Sequence, residues 1–329
     1  TVGDLDILVT AHNSRRVMEH FVAFDEVDKV LSQGTTRATV ILRSELQVDL
    51  REVPQQSYGA ALYYFTGSRA HNIAVRRIAR QRGLKINEYG IYRGKQRIAG
   101  ATEEELFAAL GLPWIPPELR ENRGEIEAAH AGLLPDLITT GDLRGDLHAH
   151  TTASDGHESL RDMAEAARTC GLQYLAITEH SKRLTVAHGL DSKRLLAQME
   201  AIDQFNSENR GITLLKGIEV DILEDGSLDM PDPILARLDL VIGAVHSRFG
   251  LSRAKQTQRI LRAMDNPNFT LLAHPSGRLI ERREPYDVDM SRIIRHARDR
   301  HCYLELNAHP ERLDLLDTHC QLAREEGVL

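Results

Sequence analysis

Two histidines separated by one residue, His148 and His150, are the clearest sign of chemistry in this sequence. In an extended segment their side chains lie on the same side, so both imidazoles can bind one cation. A single pair of this kind would be weak support, but five more polar motifs follow, each at the end of an apolar run. These motifs are Ser154-Asp155-Gly156, Thr178-Glu179-His180-Ser181, Gly217-Ile218-Glu219-Val220-Asp221, Val245-His246-Ser247-Arg248 and Ala273-His274-Pro275. The recurrence predicts a metal centre, although any one of these histidines alone is also consistent with an ordinary core or surface residue.

Imidazole and carboxylate ligands suit zinc, manganese or iron, and a carboxylate between two sets of histidines can bridge two ions. Glu219 is the candidate bridge. Clusters of this kind lower the pKa of a bound water and neutralise charge on the attacking and leaving oxygens, which is the chemistry of phosphoester hydrolysis. Arg248 and Arg278 are the candidates for binding a phosphate group.

A second set of candidate ligands lies near the beginning of the sequence. Asp4 and Asp6 share one face of a strand-like segment, and Asp49 lies in another such segment. Three carboxylates can hold two magnesium ions, but an Asp-x-Asp pair alone is equally consistent with a surface strand. Residues 66 to 97 carry nine Lys and Arg residues against Glu88 alone. This segment is either a solvated helix face or a surface for an acidic partner.

The elements that must position these residues follow two patterns. The first part of the chain reads as mixed α+β, and Thr102 with Glu105 predicts a capped helix that ends at Gly111. After a proline-rich stretch from Gly111 to Gly145, apolar strand-like runs alternate with amphipathic helices, which predicts a parallel sheet or barrel with its chemistry at the carboxyl ends of the strands. The predicted strands are 174–178, 213–220, 238–245, 270–273 and 303–307, and the clearest helices are 192–206 and 253–264.

Composition limits the class of protein. A length of 329 residues predicts two or more domains, and the net charge of -7 excludes a generally basic surface that coats DNA. No apolar run approaches the ~18 residues of a membrane span. The three cysteines are Cys170, Cys302 and Cys320, and none of them forms a Cys-x-x-Cys pair. We therefore expect a cytoplasmic protein with no membrane partner.

The histidine motifs resemble the polymerase and histidinol phosphatase (PHP) domain, a family of distorted βα barrels with trinuclear metal sites, over residues 145 to 329. The family also has a final Asp-x-His after its last strand. Asp317-Thr318-His319 has the right letters but lies in a helix-like stretch, so the resemblance implies a (βα)7-type barrel that lacks its last strand here. The ligand sets that it implies are His148, His150 and Glu219 for one ion, Glu219, His246 and His274 for a second, and Asp155 with His180 for part of a third.

Residues 1 to 112 resemble the palm and thumb of family X DNA polymerases. The resemblance rests on Asp4 and Asp6, on Asp49, and on the segments Tyr64-Phe65-Thr66-Gly67-Ser68, His71-Asn72, Arg76 and Leu84 to Gly90. It implies that Asp4, Asp6 and Asp49 bind catalytic Mg²⁺ and that the basic segment faces DNA phosphates. The implied substrate-binding residues are Tyr64 and Phe65 beside the incoming sugar, Asn72 and Arg76 at the nascent base pair, and Gly67 and Ser68 between them.

Together the two resemblances identify a bacterial or archaeal family X polymerase with a PHP domain, as a fragment that lacks both termini. The expected domains are palm (1–57), thumb (58–112), linker (113–144) and an incomplete PHP domain (145–329). The expected function is repair synthesis on gapped or primed DNA with deoxynucleoside triphosphates, combined with a 3′-to-5′ exonuclease that uses up to three Mn²⁺, Zn²⁺ or Fe ions. The alternatives are a histidinol-phosphate-type phosphatase and a non-catalytic DNA-binding protein.

Overall fold

The computed structural model describes residues 3 to 329. The chain divides into two compact units, whose bounds are Thr1–Leu137 and Ile138–Leu329. Each unit has its own clusters of buried apolar side chains. Among the helices in residues 3 to 329, none has both the length and the hydropathy that crossing a membrane requires.

The first unit begins with a four-stranded sheet in the order β1, β4, β3, β2, in which only β1 and β4 are parallel neighbours. The strands are β1 (Asp4–Val9), β2 (Val27–Gln33), β3 (Arg37–Leu42) and β4 (Gln47–Glu52). Helix α1 (Ser14–Val22) covers one face, where Met18 packs with Ala38 and Leu50. Because side chains alternate along a strand, the aspartate next to Leu50 in β4 lies on the opposite face.

The rest of the first unit consists of short helices around a small antiparallel sheet. The helices are α2 (Tyr58–Thr66), α3 (Arg69–Gln81), α4 (Glu103–Ala109) and α5 (Glu125–Ala131), and the strands are β5 (Lys85–Asn87), β6 (Gly90–Arg93) and β7 (Gln96–Ala99). The side chain of Thr102 accepts a hydrogen bond from the backbone N–H of Glu105 at 3.2 Å, and Gly111 follows the helix end with a φ of +62°. These contacts confirm the capped helix that the sequence predicts.

Residues 113 to 137, which the sequence suggests as part of a linker, lie within the first unit. Ile115 and Ile126 are buried in the same apolar core as α2, α3 and α4. The fully buried guanidinium of Arg120 donates to both carboxylate oxygens of Glu103, at 2.7 and 2.8 Å. The prolines of this stretch break regular structure but do not prevent packing, since its apolar side chains still find the core. The four domain boundaries remain a prediction.

The second unit contains six parallel strands whose order in the sheet follows the order in the chain. They are β8 (Gly145–Ala149), β9 (Tyr174–Ile177), β10 (Thr213–Asp221), β11 (Leu240–Ala244), β12 (Leu271–Leu272) and β13 (Tyr303–Leu304). The helices are α6 (Leu160–Thr169), α7 (Ser192–Glu208), α8 (Asp232–Leu235), α9 (Arg253–Met264), α10 (Met290–Arg300) and α11 (Asp317–Glu326). The curled half-barrel sheet is consistent with a PHP-type barrel and confirms the predicted βα pattern.

Burial explains why these strands are so apolar. One fully buried side chain from each of four strands shows this: Ile177, Ile218, Ile242 and Leu272. Strands of a parallel sheet are buried on both faces, so their sequences are nearly continuous apolar runs. The polar residues that follow the runs therefore mark the strand ends. Helix α11 begins at Asp317, which confirms that Asp317-Thr318-His319 is helical.

Candidate functional sites

The carboxyl ends of the six parallel strands bring the predicted metal ligands together around one cavity of about 390 Å³. We call the seven predicted ligands there the histidine cluster: His148, His150, Asp155, His180, Glu219, His246 and His274. Leu184, Asn307 and Arg312 complete the lining. The ligands lie in or just after five of the strands, and His148, His150 and Asp155 all belong to β8 and its loop, so the sheet itself fixes their positions.

Glu219 lies at the centre of the cluster, with its two carboxylate oxygens facing different histidines. Oε1 is 3.2 Å from Nε2 of His246 and 2.9 Å from Nε2 of His274. Oε2 faces the other three histidines, at 3.4 Å from His148 Nε2, 3.5 Å from His150 Nε2 and 2.8 Å from His180 Nδ1. A carboxylate that faces two ligand sets in this way has the geometry of a bridge between two cations.

The donor atoms of the cluster fit divalent cations. Three groups have all their ligand atoms within 4.8 Å of one another: His148 with His150 and Glu219, His150 with Asp155 and His180, and His180 with Glu219 and His246. Among the described residues of this cluster, the buried Nδ1 atoms of His150 and His274 have no hydrogen-bond partner. Buried polar atoms are normally paired, so these atoms favour a site for cations. The grouping differs from the implied sets in two ways: His180 joins Glu219 and His246, and His274 belongs to none of the three groups.

Electrostatics supports the same conclusion. Burial disfavours the charged form of His148, but Glu219 and Glu305 outweigh it and raise the pKa of His148 to about 10. Burial is likewise outweighed at His246, where Glu219 and Asp221 raise the pKa to about 9. Burial also opposes ionisation of Glu219, yet His148 and His246 hold the pKa of this carboxyl well below its usual range. The carboxylates thus attract positive charge, and bound cations would replace the protons on these imidazoles.

Two further carboxylates orient the histidines, and the sequence analysis assigned them no role. Oε1 of Glu305 lies 2.6 Å from Nδ1 of His148, and its Oε2 accepts the backbone N–H of His274 at 2.6 Å. Oδ1 of Asp221 lies 3.0 Å from Nδ1 of His246. Carboxylates in these positions fix the tautomer that presents Nε2 to a metal. Glu305 directly follows β13, and its place at a strand end was the signal that could have identified it.

Glu179 supports the loop that carries Asp155. Its carboxylate accepts hydrogen bonds from the backbone N–H of Thr151 at 3.0 Å and from the hydroxyl of Thr151 at 2.5 Å, and it also contacts the hydroxyl of Ser154. Burial raises the pKa of Glu179. The motif Thr178-Glu179-His180 therefore combines one ligand with one loop support.

The structure corrects the predicted phosphate-binding arginines. Arg248 is exposed, and its Nε lies 3.2 Å from Oε2 of Glu224. The guanidinium of Arg278 donates to the carbonyl oxygens of Arg312 and Leu313. Neither Arg248 nor Arg278 is among the residues of the structure that line the cavity of the histidine cluster, whereas Arg312 is. Contacts distant in sequence determine where a long side chain lies, so position near a motif did not predict which arginine lines the cavity.

In the first unit, Asp4, Asp6 and Asp49 share one face of the sheet, and we call them the aspartate face. Asp6 and Asp49 are direct neighbours in the parallel register of β1 and β4. In residues 3 to 329, however, these three carboxylates do not form a group with all ligand atoms within 4.8 Å. The sharing of a face supports the prediction of a Mg²⁺ site there but does not by itself assemble one.

Asp49 already has protein partners. Nη2 of Arg37, the hydroxyl of Thr39 and Nε2 of Gln47 donate to its carboxylate at 2.7, 2.6 and 2.9 Å. Burial would raise the pKa of Asp49, but the hydrogen bonds from Thr39 and Arg37 hold it below its usual value. Burial raises the pKa of Asp6. The charge that a cation would supply at Asp49 is supplied here by Arg37.

The residues predicted to contact nucleotide and DNA lie together where α2 meets α3. Tyr64 and Phe65 end α2 with their rings 5.0 Å apart, and Nδ2 of Asn72 donates to the carbonyl of Tyr64 at 2.9 Å. The guanidinium of Arg76 lies 5.3 Å from the centre of the Tyr64 ring. Between the helices, Gly67 has a φ of +79° and the Ser68 hydroxyl caps α3.

The basic segment forms part of the same unit. Arg76, Arg80 and Lys85 line a cavity of about 420 Å³ together with Leu84 and Ile86. Positive side chains around a concavity can attract an anionic polymer or phosphate.

Comparison with known proteins places the chain in a family. The family model described as DNA polymerase beta thumb matches residues 61–121, and the model described as PHP domain matches residues 146–309. Along its whole length the chain is 42% identical to the DNA polymerase/3'-5' exonuclease PolX of Bacillus subtilis (strain 168), of which it covers 58%. The chain belongs to the family X DNA polymerases that carry a PHP domain.

Other relatives match about half of this chain. A probable phosphatase of Thermoanaerobacter sp. (strain X514) is 31% identical over 169 residues, which are 49% of this chain and 63% of that protein. A probable phosphatase of Acetivibrio thermocellus is 28% identical over 172 residues, 50% of this chain and 65% of that protein. The chain thus covers less than two thirds of each of these three relatives.

Proposed function

We propose that this family X chain serves DNA repair through two reactions. The first unit would add nucleotides to a primer in a short gap, and the second would remove nucleotides from a 3′ end. The name of the Bacillus relative, DNA polymerase/3'-5' exonuclease PolX, supports both proposed reactions. DNA with gaps or primers and deoxynucleoside triphosphates are the proposed substrates.

The position of Glu219 between two sets of histidines is the main support for the proposed exonuclease reaction. Glu219 would be shared by one ion held with His148 and His150 and another held with His246 and His274, while Asp155 and His180 would contribute to a third. When Mn²⁺, Zn²⁺ or Fe ions are bound, they supply positive charge beside the phosphate and lower the pKa of a water. Asp221 and Glu305 hold the imidazoles of His246 and His148 in the required tautomer.

The proposed hydrolysis cleaves the last phosphodiester bond at the 3′ end of a strand. The oxygen of a water molecule forms a new bond to phosphorus, and the bond between phosphorus and the 3′ oxygen of the shortened strand breaks. The leaving oxygen takes up a proton, and a nucleoside 5′-monophosphate is released. The narrow cavity and the buried Glu219 provide a site of low dielectric, in which fixed charges act strongly on the phosphate.

In the first unit, we propose that Asp4, Asp6 and Asp49 bind Mg²⁺ and that Asp49 assists the primer hydroxyl. Tyr64 and Phe65 would lie beside the incoming sugar, and Asn72 and Arg76 would approach the new base pair. Gly67 and Ser68 would lie between the residues at the sugar and those at the base pair. The basic residues of 66–97 would bind DNA phosphates. The proposed domains are palm 1–57, thumb 58–112, linker 113–144 and PHP domain 145–329, with residues 113–137 packed on the thumb core.

Two substrates test this function directly. With Mn²⁺ present, the chain should release nucleotides from the 3′ end of a 5′-labelled single strand. With Mg²⁺ and deoxynucleoside triphosphates, it should extend the primer of a gapped duplex. Removal of Mn²⁺ by a chelator should stop the release, because the bound ions would lower the pKa of the attacking water. Failure of both reactions on DNA would contradict the proposal.

A phosphatase for small molecules is the second candidate for the second unit, because two relatives that match about half of the chain are named probable phosphatases. That function would leave the aspartate face and the Tyr64 to Ser68 segment without a role. Histidinol phosphate and p-nitrophenyl phosphate distinguish the two candidates. Rapid hydrolysis of either monoester without any release of nucleotides from DNA would favour the phosphatase.

A further inference from the structure

Arg312 is a cation without a partner in the cavity of the histidine cluster. Its Nη1 is buried and has no hydrogen-bond partner, and no carboxylate of residues 3 to 329 lies within ion-pair distance of its guanidinium. It nevertheless lines the same cavity of about 390 Å³ as Glu219 and the histidines. Burying an unpaired charge costs stability, so a position of this kind indicates that an anion completes it.

The backbone around Arg312 is held firmly in place. The guanidinium of Arg278 donates to the carbonyl of Arg312 at 2.6 Å and also to that of Leu313. Two residues further on, Oδ2 of the buried Asp314 accepts the backbone N–H groups of Ser276 and Gly277 at 2.8 and 3.1 Å. These contacts fix the segment to the loop that follows His274. The side chain of Arg312 therefore starts from a fixed backbone beside the cluster.

We propose that Arg312 binds the non-bridging oxygens of the phosphate group that the histidine cluster hydrolyses. A guanidinium presents parallel N–H groups that match two oxygens of one phosphate, and it keeps its charge at every working pH. Arg248 and Arg278 do not line this cavity, and their guanidinium groups contact Glu224 and backbone carbonyls instead. This inference rests on the proposed phosphoester hydrolysis and assigns the residue that selects its anionic substrate.

Internal phosphodiesters and terminal phosphates share this chemistry, and two model substrates separate them. Thymidine 5′-(p-nitrophenyl phosphate) is a diester and p-nitrophenyl phosphate is a monoester. We expect the wild-type chain with Mn²⁺ to prefer the diester, as an exonuclease should. A preference for the monoester would overturn the assignment of a phosphodiester.

The variants Arg312→Gln and Arg312→Lys test the residue itself, with Arg253→Gln on the outer helix α9 as the matched control. For Arg312→Gln, the affinity for inorganic phosphate, measured by titration calorimetry on the Mn²⁺-loaded chain, should fall about 10- to 100-fold, the loss of one charge-assisted contact. The KM for the diester should rise while the Mn²⁺ content stays unchanged. Arg312→Lys should recover part of the loss, because it keeps the charge but not the paired N–H groups.

The outcomes separate this inference from the proposed function. If the wild type cleaves DNA while Arg312→Gln binds phosphate and diester as the wild type does, the role of Arg312 is wrong and the function stands. The wild type could instead cleave neither DNA nor the diester, while the Arg312→Gln variant binds phosphate less tightly than the wild type. In that case the proposed function is wrong, and Arg312 still binds phosphate. Loss of Mn²⁺ in both Arg312 variants would show a structural role and overturn the inference.

Discussion

The histidine cluster and the aspartate face differ in how far the protein alone has assembled them. In the cluster, each of five histidines already places a ring nitrogen within 3.5 Å of the Glu219 carboxylate. On the aspartate face, Arg37, Thr39 and Gln47 occupy the carboxylate of Asp49. The first site already has its ligand atoms around one cavity, whereas the second contains a positive side chain that a cation must displace.

The fold explains this difference. Six parallel strands end at the same edge of the second sheet, and five of them supply the ligands from fixed places. The aspartate face depends on two strands only, and Asp4 and Asp6 are exposed there. A site supported by many strands is fixed by the sheet, while one on two strands depends on what else binds.

The largest effect should come from Glu219→Gln. The variant keeps the size of the side chain but loses the charge that both proposed ions share. Hydrolysis of the 5′-labelled single strand should fall by more than about 100-fold, since loss of an outer partner alone costs ~10- to 100-fold. Primer extension should stay unchanged. An equal loss of extension and hydrolysis in rate assays would contradict two independent sites.

The reverse result is expected for the double variant Asp4→Ala with Asp6→Ala. Primer extension should be lost, because Mg²⁺ would lose two carboxylate ligands, while release of nucleotides by the second unit should persist. Single-nucleotide incorporation into a gapped duplex measures the effect. An incorporation rate that matches the wild type would remove these aspartates from the proposed mechanism.

A smaller effect is expected for Glu305→Gln, which weakens the acceptor beside His148 and His274. The affinity of the chain for Mn²⁺ should fall by about 10- to 100-fold, as it does when an outer carboxylate is removed from other metal sites. Titration calorimetry measures this affinity, and Glu200→Gln on the exposed side of α7 is the control. If Glu305→Gln and Glu200→Gln bind Mn²⁺ equally well, Glu305 does not orient the ligands.

The smallest effect concerns pH and Asp49. Its folded pKa lies below the ordinary value of 3.8, so its contribution to stability is present above that value and is lost as pH falls through the lowered pKa. Asp49→Asn should remove this part of the acid dependence. Urea unfolding followed by the fluorescence of Trp114, the single tryptophan, reports the first unit between pH 5 and pH 2, approximate limits of the relevant window. The exposed Asp28→Asn should keep the dependence, and a wild-type curve for Asp49→Asn would count against the Arg37 pair.

The comparison also separates what the sequence could predict from what it could not. Apolar runs followed by polar residues predicted the strands of the second unit, and parallel strands place their ends together, so the members of the histidine cluster were predictable. That Asp4 and Asp6 share a face followed from the alternation of side chains, whereas the pairing of β1 with β4 that places Asp49 beside Asp6 did not. These features depend on local periodicity and on one general property of parallel sheets.

Contacts between residues distant in sequence were not predictable in the same way. Arg312 lies in the cavity because Arg278 and Asp314 hold its backbone, and no local pattern marks these contacts. Arg37 was likewise not foreseen as the partner of Asp49. The prolines of residues 113 to 137 suggested a linker, whereas the side chains of Ile115 and Arg120 are fully buried in the structure. Periodicity predicts elements, but side chains that pair across elements require the structure.

The most direct test of the bridging role of Glu219 is anomalous diffraction from crystals of the chain grown with Mn²⁺. The account predicts at least two anomalous peaks, one near each carboxylate oxygen of Glu219, at metal-to-oxygen distances of about 2.0–2.2 Å. One peak should lie on the side of His148 and His150 and the other on the side of His246 and His274. A single peak, or peaks that do not contact Glu219, would contradict the account.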